Sequence, residues 1–213
     1  MALKLFPEGL ENKLIVGTDE VGLGSLAGPV VCAAVILPPD FNNTLINDSK
    51  QLSAKKREQA FEIIIKEALT YGVFAHTAKT IDKEGITKCT MLAMHGAISR
   101  MNIEPEHILV DGIKFINYIS PLTSKKIPHT TVIKGDATYY QIAAASIIAK
   151  VIRDRYMVKL AETYPEYGWE NNMGYGSLKH RNSIIEFGAS EQHRMTFLGN
   201  ILPDKRLNVQ KLF

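Results

Sequence analysis

The sequence predicts an α/β domain built on a mixed central β-sheet flanked by helices. Two short β-branched runs, "KLIVGTDEV" and "PVVCAAVIL", open the chain as a hairpin joined by a glycine-rich turn. Beyond them, runs short enough for strands alternate with longer amphipathic stretches, the order that covers a sheet with helices. At 213 residues, 46% hydrophobic and 22% charged, the chain can bury one sizeable core and is far from the composition of disorder. No repeat, low-complexity tract or linker marks a boundary, so a single domain over 1–213 is expected.

The later elements follow in order. Ser53 can cap a helix that places Phe61, Ile64, Ile65, Ala68 and Leu69 on one face and stops at Gly72. "VFAHTAKT" reads as a strand, and residues 86–100 as a second helix. "HILVDG" and "TTVIKGD" are further strands. "YYQIAAASIIAKVIRDRYMVKL" is a long helix with Ile148, Val151, Ile152 and Tyr156 along one side. After Pro165 comes an irregular stretch and then a helix near 177–187.

Charge and cysteine content narrow the partners. Lys+Arg 25 against Asp+Glu 22 gives a net charge of only +3, but the basic residues bunch. Clusters stand at Lys55-Lys56-Arg57, Lys125-Lys126, 150–155, 179–181 and Lys205-Arg206. A solvated face explains any one of them; their recurrence permits a phosphate-rich partner. Cys32 and Cys89, set among apolar neighbours, read as two buried thiols in a reducing compartment, without zinc or disulfide spacing. "MALKLFPEGLEN" carries a proline and two acids where a signal peptide needs a longer apolar core. Residues 26–37, the longest apolar stretch, hold Gly28 and Pro29 and are too short to span a bilayer. A cytoplasmic protein without a membrane partner is the expectation.

The stretch "IVGTDEVGLGSLAGPV" admits two opposite ligands. From Gly22 it reads G-x-G-x-x-A, close to a loop that cradles a dinucleotide pyrophosphate. That reading requires a helix starting at the loop, yet Gly28-Pro29 and then a strand follow, and Asp19 and Glu20 put two anions beside it. It fails on context. From Asp19 the stretch reads instead as acids at the end of an apolar strand, where a cation is held.

Three strands end in this way: "LIVGTDE" with Asp19 and Glu20, "ILVDG" with Asp111, and "VIKGD" with Asp136. One such acid would simply accept turn amides. Three delivered to the carboxyl ends of strands, where α/β sheets gather their sites, point to one convergence. Carboxylates packed together repel, and a hard divalent cation relieves them; a set of oxygens without His or Cys suits Mg²⁺ or Mn²⁺. Successive strand residues face opposite ways, so Asp19 is favoured over Glu20 as a direct ligand.

With "DEVGLGSLAGPVV", "DSKQLS", "LVDG", "KGDATYYQIAAASIIAKVIRDRYM", "MGYGSLKH" and "HRMTF", the chain closely resembles the ribonuclease HII family, in order from about residue 15 to 197. The resemblance implies a ribonuclease H-like fold with a helical C-terminal extension, about 165–213, that contacts substrate. It implies an endoribonuclease cutting the RNA strand of RNA–DNA hybrids, and incising duplex DNA on the 5′ side of a single embedded ribonucleotide. Asp19, Glu20, Asp111 and Asp136 match the family's four catalytic acids. Two metal ions, Mg²⁺ or Mn²⁺, bridged by Asp19 would then straddle the scissile phosphate, and hydrolysis would leave a 3′-hydroxyl and a 5′-phosphate.

Specificity needs a separate source, because only the 2′-hydroxyl marks a ribonucleotide. In the family, main-chain groups of a Gly-Arg-Gly loop contact that hydroxyl, and a tyrosine stacks on the sugar of the following deoxynucleotide. The matching residues here are Gly22, Leu23 and Gly24, and Tyr175. Leu23 replaces the usual arginine, and Met173 stands where the family carries a lysine, which removes two cations next to the phosphates. Lys50 of "DSK" matches a family lysine near the substrate backbone. Ser146 and Lys150, one helical turn apart, could reach phosphates, although Ser146 in an alanine-rich run also suits close helix packing. His193 and Arg194 match a family "HR" pair and read equally as structural or phosphate-facing; His180 and Arg181 read as an exposed helix face.

A monomer acting on RNA–DNA hybrid and on ribonucleotide-containing duplex DNA is the resulting expectation. The terminal Gln210-Lys211-Leu212-Phe213 loosely resembles peptides that bind replication sliding clamps, without the full spacing; a Leu-Phe tail folding back on the domain is the plainer reading. Two alternatives stand beside this account. A ribonuclease HIII-like enzyme would prefer long hybrids and usually has an extra N-terminal domain, whereas about a dozen residues precede the first strand here. A non-catalytic hybrid-binding protein would have no use for four acids near phosphate.

Overall fold

The computed structural model describes residues 3–46 and 52–202; Lys50 and Gln210 to Phe213 lie outside the described residues. The chain falls into two compact units. One comprises Met1–Val21, Val31–Ala75 and Thr90–Val151, the other Gly22–Val30, His76–Cys89 and Ile152–Phe213.

The first unit is built on the sheet. β1 (Ile15–Val21) and β2 (Val30–Ile36) pair antiparallel, with Val16 opposite Ile36 and Val21 opposite Val31. The expected opening hairpin is therefore present. α1 (Ala54–Glu67) begins at Ser53, whose hydroxyl accepts the Lys56 N–H at 3.3 Å. β3 (Thr70–His76) follows, then α2 (Ala78–Glu84), which belongs to the second unit, α3 (Ile86–Ile98), β4 (His107–Asp111) and β5 (His129–Val132). The strand order is β3-β2-β1-β4-β5, with β1–β4 and β4–β5 parallel, so the sheet is mixed as expected. Every residue of β2 is buried, which its unbroken apolar run requires. Val16, Cys32, Ala34, Ile36, Ile108 and Val110 pack with Ala93, Met94 and Ala97 of α3 in one cluster of this core.

Two boundaries differ from the sequence reading. α1 ends at Glu67, and Gly72 lies inside β3 rather than stopping a helix. The glycine serves a close approach: a Cβ there would sit 2.1 Å from the Ala97 carbonyl oxygen. "VFAHTAKT" divides at Thr77, whose hydroxyl caps α2 by accepting the Thr80 N–H at 3.3 Å; Ala78, Lys79 and Thr80 are helical.

α4 (Tyr140–Thr163) contributes its first half to the first unit and its second half to the other. The second unit continues through the stretch expected to be irregular, which contains a 3₁₀ turn, Pro165–Tyr167, and α5 (Trp169–Asn172), before α6 (Leu178–Phe187). Its core gathers Ala27, Met157, Ala161, Tyr167, Trp169, Ile184 and Leu198. Asp82 accepts the N–H groups of Met195 at 2.8 Å and Thr196 at 2.9 Å, which ties α2 to the C-terminal stretch. Among the described residues no helix is long and apolar enough to cross a membrane.

His180 is fully buried instead of lying on an exposed helix face, while Arg181 is exposed. The physical reason is a closed network of neutral imidazoles. Trp169 Nε1–H donates to His180 Nε2 at 2.9 Å, so that nitrogen is an acceptor; His180 Nδ1–H then donates to the Tyr175 carbonyl at 2.9 Å. His193 Nε2–H donates to the same His180 nitrogen at 3.1 Å, and His193 Nδ1 accepts the Ser190 N–H at 2.9 Å. A proton added to either ring would put two donors face to face. Burial accordingly pushes His193 down to about 3, with the neighbouring His180 adding to the effect, and burial also lowers His180.

This network makes the fold acid-labile in a defined window. Between about pH 6.5 and 3 the unfolded chain binds protons at His193 that the folded chain refuses, so stability is full above 6.5 and falls as pH drops. From pH 7 to 5 the loss from His193 alone should be about 2 kcal/mol. Urea unfolding at the two pH values should show this loss, and His193→Gln should remove most of it. An unchanged pH dependence in the variant would contradict the assignment.

Candidate active site

Parallel pairing sets the first two acids side by side. Thr18 lies opposite Val110 in the last pair of the β1–β4 register, and Asp19 and Asp111 are the next residues on each strand. Neighbouring strands run about 5 Å apart, so the two acids emerge at one level of the sheet. Asp19 is 4% exposed, whereas Glu20, pointing the other way along the pleat, is half-buried. Asp136 arrives by a different device. The Gly135 N–H donates to Asp111 Oδ1 at 2.7 Å, drawing the 3₁₀ turn Gly135–Ala137 against the end of β4, and Asp136 is the next residue, 4% exposed. All four acids belong to the first unit.

Asp19 carries the electrostatic signature of the site. Burial pushes its carboxyl well above the ordinary aspartate range, and the charges of Glu20 and Asp111 push it further. Two hydrogen bonds oppose them: the Ser146 side chain, and the Glu20 N–H, which donates to Asp19 Oδ1 at 2.7 Å. Ser146, read from sequence as a phosphate contact or a packing residue, is thus 5% exposed on α4 and bonded to an acid. Lys150, one turn further along α4, is half-buried. No three His, Cys, Asp or Glu side chains among the described residues stand close enough together to hold a metal ion as placed. The donor set is nonetheless all oxygen, and burial together with the charges of Glu20 and Asp111 raises the proton affinity of Asp19, the condition that a hard divalent cation relieves.

The second unit holds the other predicted residues. Gly22 is buried, Leu23 and Gly24 are exposed, and Ser25 pairs antiparallel with Tyr175, so the glycine loop and the tyrosine are neighbours. Tyr175 is 38% exposed. The loop's carbonyls are taken from within: Arg194 donates to those of Leu23 and Gly28, and Arg153 to those of Ala27 and Pro29. Both guanidiniums are fully buried, which decides His193-Arg194 in favour of a structural position and removes Arg153 from the basic cluster at 150–155. Burial pulls Arg194 down to about 10, aided by the charge of Arg153, and it remains a cation at neutral pH.

Residues 16–199 match the model of the ribonuclease HII family. The chain belongs to that family. A ribonuclease HII of Bacteroides thetaiotaomicron is 48% identical over 205 residues, covering 96% of this chain and 98% of that protein. Among solved structures, the ribonuclease H2 of Pyrococcus horikoshii has a TM-score of 0.72 and 28% identity, covering 88% of this chain and 96% of its own. The ribonuclease HII of Archaeoglobus fulgidus, solved as a complex with PCNA, has a TM-score of 0.69 and 27% identity over 85% of this chain and 94% of its own. This ribonuclease HII family member therefore has a ribonuclease H-like fold, with a mixed five-stranded sheet and a helical C-terminal part, and is an endoribonuclease.

Arg153 is the residue that sequence reasoning passed over. Its signal was present: Ala145, Ala149, Arg153, Met157 and Ala161 recur every four residues along α4, and all are buried. An arginine in a row of small and apolar residues is a buried arginine.

The Ser146 contact can be tested without metal. Ser146→Ala should raise the Asp19 pKa further, because it removes a bond to the ionised form. Carboxyl ¹³C NMR titration reads this directly, and an unshifted Asp19 would show that the hydroxyl does not hold the carboxylate.

Proposed function

We propose that this ribonuclease HII family member hydrolyses the RNA strand of RNA–DNA hybrids and incises duplex DNA on the 5′ side of a single embedded ribonucleotide. The products are a 3′-hydroxyl and a 5′-phosphate, and the cofactor is Mg²⁺ or Mn²⁺ in a two-metal arrangement. The observation that carries this reading is the buried Asp19 carboxyl, driven up by burial and by the charges of Glu20 and Asp111. Holding such a carboxyl ionised carries a large cost unless a cation joins it.

Asp19, Glu20, Asp111 and Asp136 would hold the cofactor, which when bound lowers the pKa of water and stabilises the leaving 3′-oxygen. The chain's own contribution is orientation. The Glu20 N–H and Ser146 fix the Asp19 carboxylate, and the Gly135 N–H fixes Asp111. Lys150, and Lys50 outside the described residues, are assigned to substrate phosphates.

Recognition of the ribonucleotide is assigned to Gly22, Leu23, Gly24 and Tyr175. With the Leu23 carbonyl turned onto Arg194, and the amides of Leu23 and Gly24 without a hydrogen-bond partner among the described residues, the exposed loop offers main-chain donors to a 2′-hydroxyl. The half-exposed Tyr175 ring offers a stacking face for the next sugar. Main-chain contacts do not depend on the middle residue, so Leu23 lowers affinity for phosphate without abolishing the reading of the sugar. Membership of the ribonuclease HII family favours this over a ribonuclease HIII-like enzyme, and the presence of all four acids in the sequence favours it over a non-catalytic binder. A monomer is proposed, with a sliding clamp as partner of the Gln210 to Phe213 tail. An archaeal relative was solved with PCNA, and a chain lacking the last six residues should lose clamp capture.

Asp19→Asn should lower cleavage by about a thousandfold, a loss of roughly 4 kcal/mol of transition-state stabilisation, while hybrid binding persists. Cleavage at the wild-type rate would show the site is misplaced. Tyr175→Ala should cost about tenfold in cleavage at a single ribonucleotide, with the metal-binding isotherm unchanged. Equal cleavage by variant and wild type would remove the stacking role.

A further inference from the structure

Arg153 sits where an arginine is costly. Its side chain is fully buried, and burial lowers it from the usual arginine range. Four hydrogen bonds compensate, and their destinations are informative. Nε donates to the Pro29 carbonyl at 2.9 Å, and Nη2 to Ser25 Oγ at 2.9 Å and the Ala27 carbonyl at 3.1 Å. Nη1 donates to the Met173 carbonyl at 2.9 Å. Three bonds hold the segment that follows Gly22-Leu23-Gly24, and one holds the turn two residues before Tyr175. The guanidinium carbon also lies 5.5 Å from the Tyr175 ring centroid, within cation–π range.

The loop is shaped around this group. Gly22 has φ +92°, and a Cβ there would lie 2.3 Å from Arg153 Nε and 2.8 Å from the Pro29 carbonyl. No other residue lets the backbone come so close. A guanidinium is planar with donors in a fixed fork, so acceptors on two segments bound to it are held at one spacing. A lysine, with one nitrogen, keeps the charge and loses the fork.

We infer that Arg153 is the positioning residue for ribonucleotide recognition, its buried guanidinium holding the glycine loop and Tyr175 at the one spacing that fits a ribonucleotide followed by a deoxynucleotide. The inference rests on the proposed roles of that loop and that tyrosine. Inside a continuous hybrid the next sugar is a ribose at every step, so the spacing matters less there. Arg153 touches no reacting atom in this scheme; it acts through the two elements it joins.

The test compares kcat/KM on two substrates, a DNA duplex with one ribonucleotide and a continuous RNA–DNA hybrid, for wild type, Arg153→Lys, Ser25→Ala and Tyr175→Ala. Arg153→Lys should lose about tenfold or more on the single ribonucleotide and less than about threefold on the hybrid, as expected for misplaced recognition elements. Ser25→Ala, which removes one of the four bonds, should shift the ratio the same way by about threefold. A thermal melt and a Mn²⁺ isotherm on each variant separate folding and metal binding from positioning. Equal losses on both substrates in Arg153→Lys, or an unchanged ratio, would overturn the inference. If Arg153→Lys does not fold, the Ser25→Ala ratio decides, and an unchanged ratio overturns it. Should Tyr175→Ala also leave the ratio unchanged, the recognition reading itself has failed; if only Tyr175→Ala moves it, the positioning inference alone has failed.

Discussion

Repulsion among carboxylates at the end of a sheet is the constraint on which the rest of this molecule depends. Parallel pairing of β1 and β4 puts Asp19 and Asp111 at one level, and Glu20 follows on the same strand. Burial then removes the water that would have screened Asp19. The surrounding structure answers with oriented donors, the Glu20 amide and Ser146 to Asp19 and the Gly135 amide to Asp111. Donors of this kind orient an anion and leave its charge intact. An oxygen site held ready but still repelling is suited to a divalent cation and ill suited to a purely structural role.

The second unit solves the opposite problem. Arg153 and Arg194 are two buried cations whose bonds go to backbone carbonyls of residues 23–29 and to the turn at Met173. Filling those carbonyls from the inside leaves the exposed part of the loop with donors. A glycine-rich segment resembling a pyrophosphate cradle is thus braced through its carbonyls by guanidiniums, and a strand follows it where such a cradle needs a helix. The histidine pair serves the same end, since His180 fixes the Tyr175 carbonyl and is itself fixed by Trp169 and His193.

Much of this was legible in the sequence, for identifiable reasons. The acids were legible because each closes an apolar run, and a run's period and end survive any packing detail. The opening hairpin was legible from two β-branched segments around a glycine turn. The boundary at Gly72 was not, because glycine marks both helix ends and close approaches, and only the Ala97 carbonyl shows which applies. His180 was misread because a helix of ten residues with few apolar positions looks solvated, and the indole beside it lies eleven residues earlier. Arg153 was hidden in a basic run although its four-residue row was apolar.

The central claim is that the acids, with a divalent cation, cut beside a ribose. Its most direct test is a duplex carrying one ribonucleotide, incubated with and without Mg²⁺ or Mn²⁺, next to an all-DNA control. The account predicts a single cut on the 5′ side of the ribonucleotide, only with metal, and none in the control. Cleavage without metal, or equal cleavage of the all-DNA duplex, would contradict it.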